Sequence, residues 1–251
     1  MRWKAVILLP ILFFLSASCT DQVTTVALDL TASFKKKPKP PPDPDPPAEA
    51  QPVIAYERGG PGARALWVMD EDGANQAEIF VPGNFFVPSW SSLGEGTEDV
   101  PFEILLTGTS THLLPVMKVE VFLDGGVPTA GSVDTLSTDP MYIQARVSPD
   151  GQEFVAVHVG PPEDFQTSLV VSGLGAFSPV TVHEEPGHES YWPAWRPDGN
   201  IAFFELNGET GQVSVQVLDR GSGLVSEVFQ VPPEMGLPRR LSWSPDGSGL
   251  V

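Results

Sequence analysis

The stretch "HEEPGHES" (183–190) holds five potential metal ligands: His183, Glu184, Glu185, His188 and Glu189. Imidazole nitrogens and carboxylate oxygens are the groups that bind zinc and calcium. The order lacks the His-Glu-x-x-His register that seats two histidines on one helix face, and Pro186 and Gly187 mark a connecting loop instead. His183, Glu185 and His188 are candidate ligands, set against the simpler expectation of an exposed loop. A second candidate is "DEDGAN" (70–75), where Asp70, Asp72 and Asn75 sit at the oxygen spacing of a calcium loop. Its glycine, Gly73, comes too early for that loop, and Ala74 occupies a ligand position, so a tight hairpin turn fits better. No metal or cofactor is therefore expected.

Catalytic signatures are missing from the sequence. There is no Gly-x-Ser-x-Gly elbow, and "DRGSGL" (219–224) lacks the strand-to-helix context such an elbow needs. There is no glycine-rich phosphate loop ending in Lys and Ser/Thr. His158 lies in the alternating stretch "VAVHVG" and reads as structural. Trp90, Trp192, Trp195 and Trp243 read as inner core, any one of them also suited to line a ligand surface.

The elements that would position these residues are legible as a repeat. "VSPDGQEFVAV", "WRPDGNIAFF" and "WSPDGSGLV" place Asp150, Asp198 and Asp246 at two successive intervals of 48 residues. A fixed period of that length, with strands in every unit, is the mark of a β-propeller. Proline presets the turn, aspartate tolerates its third position and glycine closes it, with a large residue (Val147, Trp195, Trp243) just before. A looser copy begins at "VPSW" (87–90), 57 residues ahead of the next, and "PVIAYERGGPGARALWVMDEDGANQAEIF" (52–80) reads as a unit without its innermost strand.

"MRWKAVILLPILFFLSASC" has Arg2 and Lys4, an apolar run from Ala5 to Leu15 and small residues before Cys19. That is the order of a secretory signal, and the run is too short to span a bilayer. Cys19 is the only cysteine, so no internal disulfide is available to explain it. "LSASC" resembles the lipobox of bacterial lipoproteins, with Ser16 where that family usually carries leucine. The resemblance implies acylation of Cys19, which would exclude thiol catalysis, and Thr20 in place of aspartate implies the outer membrane. "KKKPKPPPDPDPPAEAQP" (35–52) then reads as an extended polyproline tether of about 3 Å per residue. The expected organisation is a signal peptide over 1–18, a lipidated N-terminus and tether over 19–52, and a propeller over 53–251.

"LWVMDEDGANQAEIF", "PAWRPDGNIAFF" and "LSWSPDG" together resemble the repeat of TolB-type, WD40-like β-propellers, over about residues 52–251. The resemblance implies an all-β fold of four-stranded antiparallel blades, with the Trp-Ser-Pro-Asp-Gly phrase joining the first two strands of a blade. About four blades are represented. Such propellers usually have six, so the chain is expected to be a C-terminally truncated part of a six-bladed ring. The alternative is a four-bladed ring in which 239–251 completes the unit 53–80.

Residues 53–251 carry eight of the 14 Lys/Arg and 27 of the 32 Asp/Glu in a chain of net charge −18. Such a domain repels nucleic acid, whose binding rests on basic patches. The expectation is a non-enzymatic, lipid-anchored scaffold of the bacterial cell envelope, facing the periplasm or cell surface. Its partner would be an envelope protein or peptide, met through inter-blade loops carrying Asp99, Glu184, Glu185 and His188. The alternatives are the N-terminal propeller of a longer exported serine-peptidase-type hydrolase, or a propeller lyase.

Overall fold

In the computed structural model the described residues are 53–251, apart from 61–62, 84–85, 92–93, 110, 162–165, 237 and 239. They belong to the second of the chain's two units, Pro46–Val251. The expected signal peptide, Cys19 and the proline-rich tether lie outside them.

Alternating, β-branched segments pair with their sequence neighbours into antiparallel meanders. The first blade has three strands, β1 (Val53–Arg58), β2 (Arg64–Asp70) and β3 (Ala77–Gly83). The second has four: β4 (Val87–Trp90), β5 (Phe102–Thr107), β6 (Val116–Asp124) and β7 (Val127–Ser137). The third comprises β8 (Tyr142–Val147), β9 (Glu153–Val159), β10 (Thr167–Gly173) and β11 (Val180–His183). The fourth comprises β12 (His188–Trp195), β13 (Ile201–Asn207), β14 (Val213–Leu218) and β15 (Val225–Gln230). The fold is all-β, built of antiparallel propeller blades, and the first blade is one strand short of the others, as its sequence implied. No helix among the described residues is long and apolar enough to cross a membrane.

The repeated turn joins β8 to β9 in the third blade and β12 to β13 in the fourth, and it recurs in the hairpin of 241–251. Gly151 donates its N–H to Ser148 O (2.9 Å), Gly199 to Arg196 O (2.9 Å) and Gly247 to Ser244 O (2.8 Å). Each of these glycines has φ between 69° and 89°, the left-handed region that a side chain would strain. The aspartate of each turn caps the following backbone: Asp150 Oδ1 accepts from Gln152 N–H and Asp198 Oδ1 from Asn200 N–H, both at 3.1 Å. Hydrogen bonds from Ser244 and Ser248 hold the Asp246 carboxyl down at about 2. A carboxyl lowered in this way helps the folded turn above the ordinary aspartate range and loses that help as pH falls toward 2.

Side chains that alternate across a strand give each sheet two apolar faces, and the blades stack through them. On β9, Phe154 and Ala156 face the second blade and pack with Leu105 and Val116. The intervening Val155 and Val157 face the fourth blade and pack with Ile201, Phe203 and Leu218. Leu66 and Val68 join Ile104 and Leu106 between the first two blades. The segment 241–251 repeats the pattern: Leu241, Trp243 and Leu250 cover Ala202, Phe204 and Val215 on the far face of the fourth blade. Its hairpin closes through paired hydrogen bonds between Ser242 and Val251 (2.9 and 2.8 Å). Among the described residues β1 pairs only with β2, so the closing pair between 239–251 and the first blade is not formed.

Phe203 is fully buried in the layer between the third and fourth blades. Phe203→Ala is expected to cost about 3–5 kcal/mol, read from the urea midpoint at unchanged slope. A loss below about 1 kcal/mol would show that this layer does not hold the two blades together.

Candidate functional site

The inner ends of the blades enclose a cavity of about 880 Å³ that opens to solvent. The repeat determines part of its wall. Val87, Gln144, Trp192 and Arg240 each stand three residues before the large residue at the end of the inner-strand phrase (Trp90, Val147, Trp195, Trp243), and all four line the cavity. Structurally equivalent positions from successive units therefore converge on one space.

Two of these positions carry backbone strain. Gln144 has φ 55° and Trp192 has φ 51°, a conformation that costs a non-glycine residue about 1–2 kcal/mol. Each interrupts the pairing of its strand, between Ile143 and Arg146 in β8 and between Tyr191 and Ala194 in β12. Such bulges turn side chains and N–H groups out of the ladder. The freed groups link neighbouring blades: Gln144 N–H donates to Gly108 O (3.1 Å), and Trp192 N–H donates to the Gln144 side-chain oxygen (2.8 Å). Further out, Ala145 N–H donates to Thr107 Oγ1 (2.9 Å), Val147 N–H to Ser89 Oγ (2.9 Å) and Trp195 Nε1 to Arg146 O (2.8 Å).

The connection after β5 supplies a polar wall. It doubles back at Gly108, where a Cβ would come within 2.3 Å of His112 O, so only glycine fits. Thr109 and His112 exchange backbone hydrogen bonds (2.9 and 3.1 Å), and Thr111 Oγ1 lies 2.8 Å from His112 Nδ1. Thr109, Thr111 and His112 all line the cavity, together with Phe86, Tyr191, Trp192 and Phe204. Its one lining carboxylate, Glu57, is ion-paired to Arg64 at 2.9 Å. Burial, reinforced by the like charge of Arg240, lowers the guanidinium of nearby Arg146 to about 10.

The residues singled out from sequence lie elsewhere. His183 ends β11 in the third blade, where its Nε2 meets Glu205 Oε1 at 2.9 Å. His188 begins β12 in the fourth blade, and its Nε2 accepts from the Asn207 side-chain amide at 3.0 Å. Glu184 and Glu185 are exposed between them. The three candidate ligands His183, Glu185 and His188 are held apart: the two histidines belong to strands of different sheets and each has its own partner. Asp70 Oδ2 accepts from Asn75 (2.7 Å) and Asp72 Oδ1 from Ala74 N–H (2.9 Å), so both carboxylates brace the hairpin turn. Among the described residues no three His, Cys, Asp or Glu side chains are grouped to hold a metal ion. Asp99 is exposed in the β4–β5 loop. His188 and Glu205 also line a smaller polar cavity of about 270 Å³. Of the four tryptophans assigned to the inner core, Trp192 reaches the large cavity.

Gln144→Ala leaves the Trp192 N–H without its acceptor and is expected to cost about 1–3 kcal/mol in the urea midpoint. Gln144→Glu, which keeps an acceptor, should recover most of that loss. If the alanine variant melts like the parent, the link between these blades carries no stability.

No family model matches the chain, and no curated protein matches it. Among solved structures it is similar to a putative TolB from Agrobacterium tumefaciens, at 16% identity and a TM-score of 0.46, covering 71% of this chain and 61% of that one. It is similar to TolB from Acinetobacter baumannii at 18% identity and a TM-score of 0.40, covering 81% of this chain and 58% of the other. A nidogen/laminin complex gives 12% identity and a TM-score of 0.48, covering 79% and 68%. The chain thus spans about three fifths of the length of the two TolB structures. The sheets of the described residues, three of four strands and one of three, form an all-β array of propeller blades.

Proposed function

We propose that this chain is a non-enzymatic interaction protein of the bacterial cell envelope, whose inner cavity receives an extended segment of a protein partner. The observation that carries this reading is the composition of the cavity wall. Aromatic side chains (Phe86, Tyr191, Trp192, Phe204) and hydroxyl and imidazole groups (Thr109, Thr111, His112) line one open space of about 880 Å³. Binding sites combine an apolar wall with a few fixed polar groups in this way. Strained backbone at Gln144 and Trp192 accords with a functional position, since such conformations cluster at ligand sites. The envelope location rests on the N-terminal sequence, with Cys19 as lipid anchor and the proline-rich segment as spacer.

Extended octapeptides titrated into the full chain should include members that bind saturably and quench Trp192 fluorescence. Trp192→Ala should lower their affinity about tenfold or more at a temperature where the variant is still fully folded, although it also loses packing against Phe204 and Val213. A library from which nothing binds would overturn the reading of the cavity. Separately, Cys19→Ser should move the protein from the membrane fraction to the soluble fraction of cells expressing it. Retention in the membrane would rule out the lipid anchor.

A further inference from the structure

The face that the fourth blade turns toward the third changes character along its strands. Ile201 and Phe203 of β13 and Leu218 of β14 pack into the apolar layer between the two blades. Alternation carries the same face outward to Glu205 and Asn207 on β13 and to Gln216 and Ser214 on β14. Glu227 and Gln230 of β15 are the cross-strand partners of those last two. Ser214 and Gln216 are nonetheless buried, each 7% exposed. Here the blade forms the smaller cavity of about 270 Å³, and every residue that lines it is polar. Buried polar groups are unfavourable without partners, so the bonds these residues make and lack indicate what the cavity receives.

Internal hydrogen bonds sort the lining atoms. His188 is spent at both nitrogens, Nδ1 donating to Pro186 O (3.4 Å) and Nε2 accepting from Asn207 (3.0 Å). Asn207 Oδ1 accepts from Glu209 N–H (3.0 Å) and Thr210 N–H (2.9 Å). The amide nitrogen of Gln212 donates to two backbone carbonyls, Val213 O (3.0 Å) and Val231 O (3.2 Å), which leaves its carbonyl oxygen. Gln216 donates to Ser214 Oγ (2.8 Å), and its own carbonyl oxygen has no donor among the described residues. Glu205 commits Oε1 to His183 at 2.9 Å and retains Oε2. The Glu227 carboxylate, exposed at the rim, makes no bond among the described residues. The cavity therefore offers a set of acceptor oxygens, with carboxylates at Glu205 and Glu227, and no Lys or Arg lines it.

We propose that this cavity binds the guanidinium of an arginine presented by a protein partner, with Glu205 and Glu227 supplying the charge and Gln212 and Gln216 further acceptors. A guanidinium carries five N–H donors and no acceptor, and its fixed plane reaches several oxygens at once. No aromatic ring lines the cavity to carry an apolar ligand or the face of a sugar. The surrounding domain, with 27 acidic and eight basic residues over 53–251, draws a cation toward it. This site is separate from the large cavity and does not depend on how that cavity is read.

The test uses the full chain, labelled with nitrogen-15, and acetylated, amidated pentapeptides made in matched pairs. One member has arginine at its centre and the other citrulline, the uncharged analogue of the same shape. The arginine member is expected to bind about tenfold more tightly and to shift the side-chain amide resonances of Gln212 and Gln216. Its advantage should shrink with added salt. Glu227→Gln, a change at an exposed side chain, should reduce the preference to within about threefold. Glu71→Gln/Glu98→Gln removes twice that charge at exposed positions outside the cavity and should leave the preference intact. Equal binding of the two members overturns the site. A preference undiminished in Glu227→Gln, or lost equally in the double variant, overturns it as well, since only the general acidity of the surface is then at work. Arginine peptides that bind without moving Gln212 or Gln216 place the cation elsewhere and also sink the proposal. Displacement of the arginine peptide by equimolar spermidine overturns the protein source of the cation. None of these results bears on the large cavity, whose own test reads Trp192.

Discussion

A sheet with apolar side chains on both faces cannot stand alone in water, and every other feature of this protein follows from that constraint. Strand β9 shows it most directly: Phe154 and Ala156 need one neighbour, Val155 and Val157 another. The chain meets both needs by stacking sheets face to face. There is consequently no single core but a series of layers, each owned by two sheets. A strand slipped by one residue would exchange the two faces at once, so the register is held from both sides.

Stacking alone leaves the inner strands to be aligned, and there hydrogen bonds take over from apolar contact. The links from Ser89, Thr107, Gln144 and Arg146 O to the next blade all lie on or beside inner strands. Two of the bulged positions accept a left-handed backbone to make such a link. The strain is small against the layers on either side, which is why the sheets can impose it. The same bulges point Gln144 and Trp192 at the cavity, so inter-blade attachment and the shape of the site have one structural origin.

The repeat was readable because its turn demands particular residues: proline, aspartate, and a glycine whose positive φ recurs at 151, 199 and 247. Strand alternation then followed, and with it the blades, including the three-stranded first one. The site was much less legible. Loops rich in His and Glu drew attention, but His183 and His188 are engaged by Glu205 and Asn207 of β13, contacts that no local pattern reveals. The cavity wall was hidden for a different reason. Val87, Gln144, Trp192 and Arg240 share no chemistry, and only their common offset from the turn connects them. Applying the 48-residue period to every position, rather than to the turn alone, would have brought three of them together.

The return of one turn at a constant interval also bears on how such a chain can grow. An in-frame duplication of one 48-residue period copies a whole two-faced sheet, its turn and its bonding groups toward the next. Each copy therefore arrives with both of its interfaces already compatible with its neighbours. The residues at 144, 192 and 240 nevertheless differ, being glutamine, tryptophan and arginine, even though the first also bonds toward the next blade. A gene built by tandem copying can thus keep its scaffold uniform while the wall of its cavity diversifies one unit at a time.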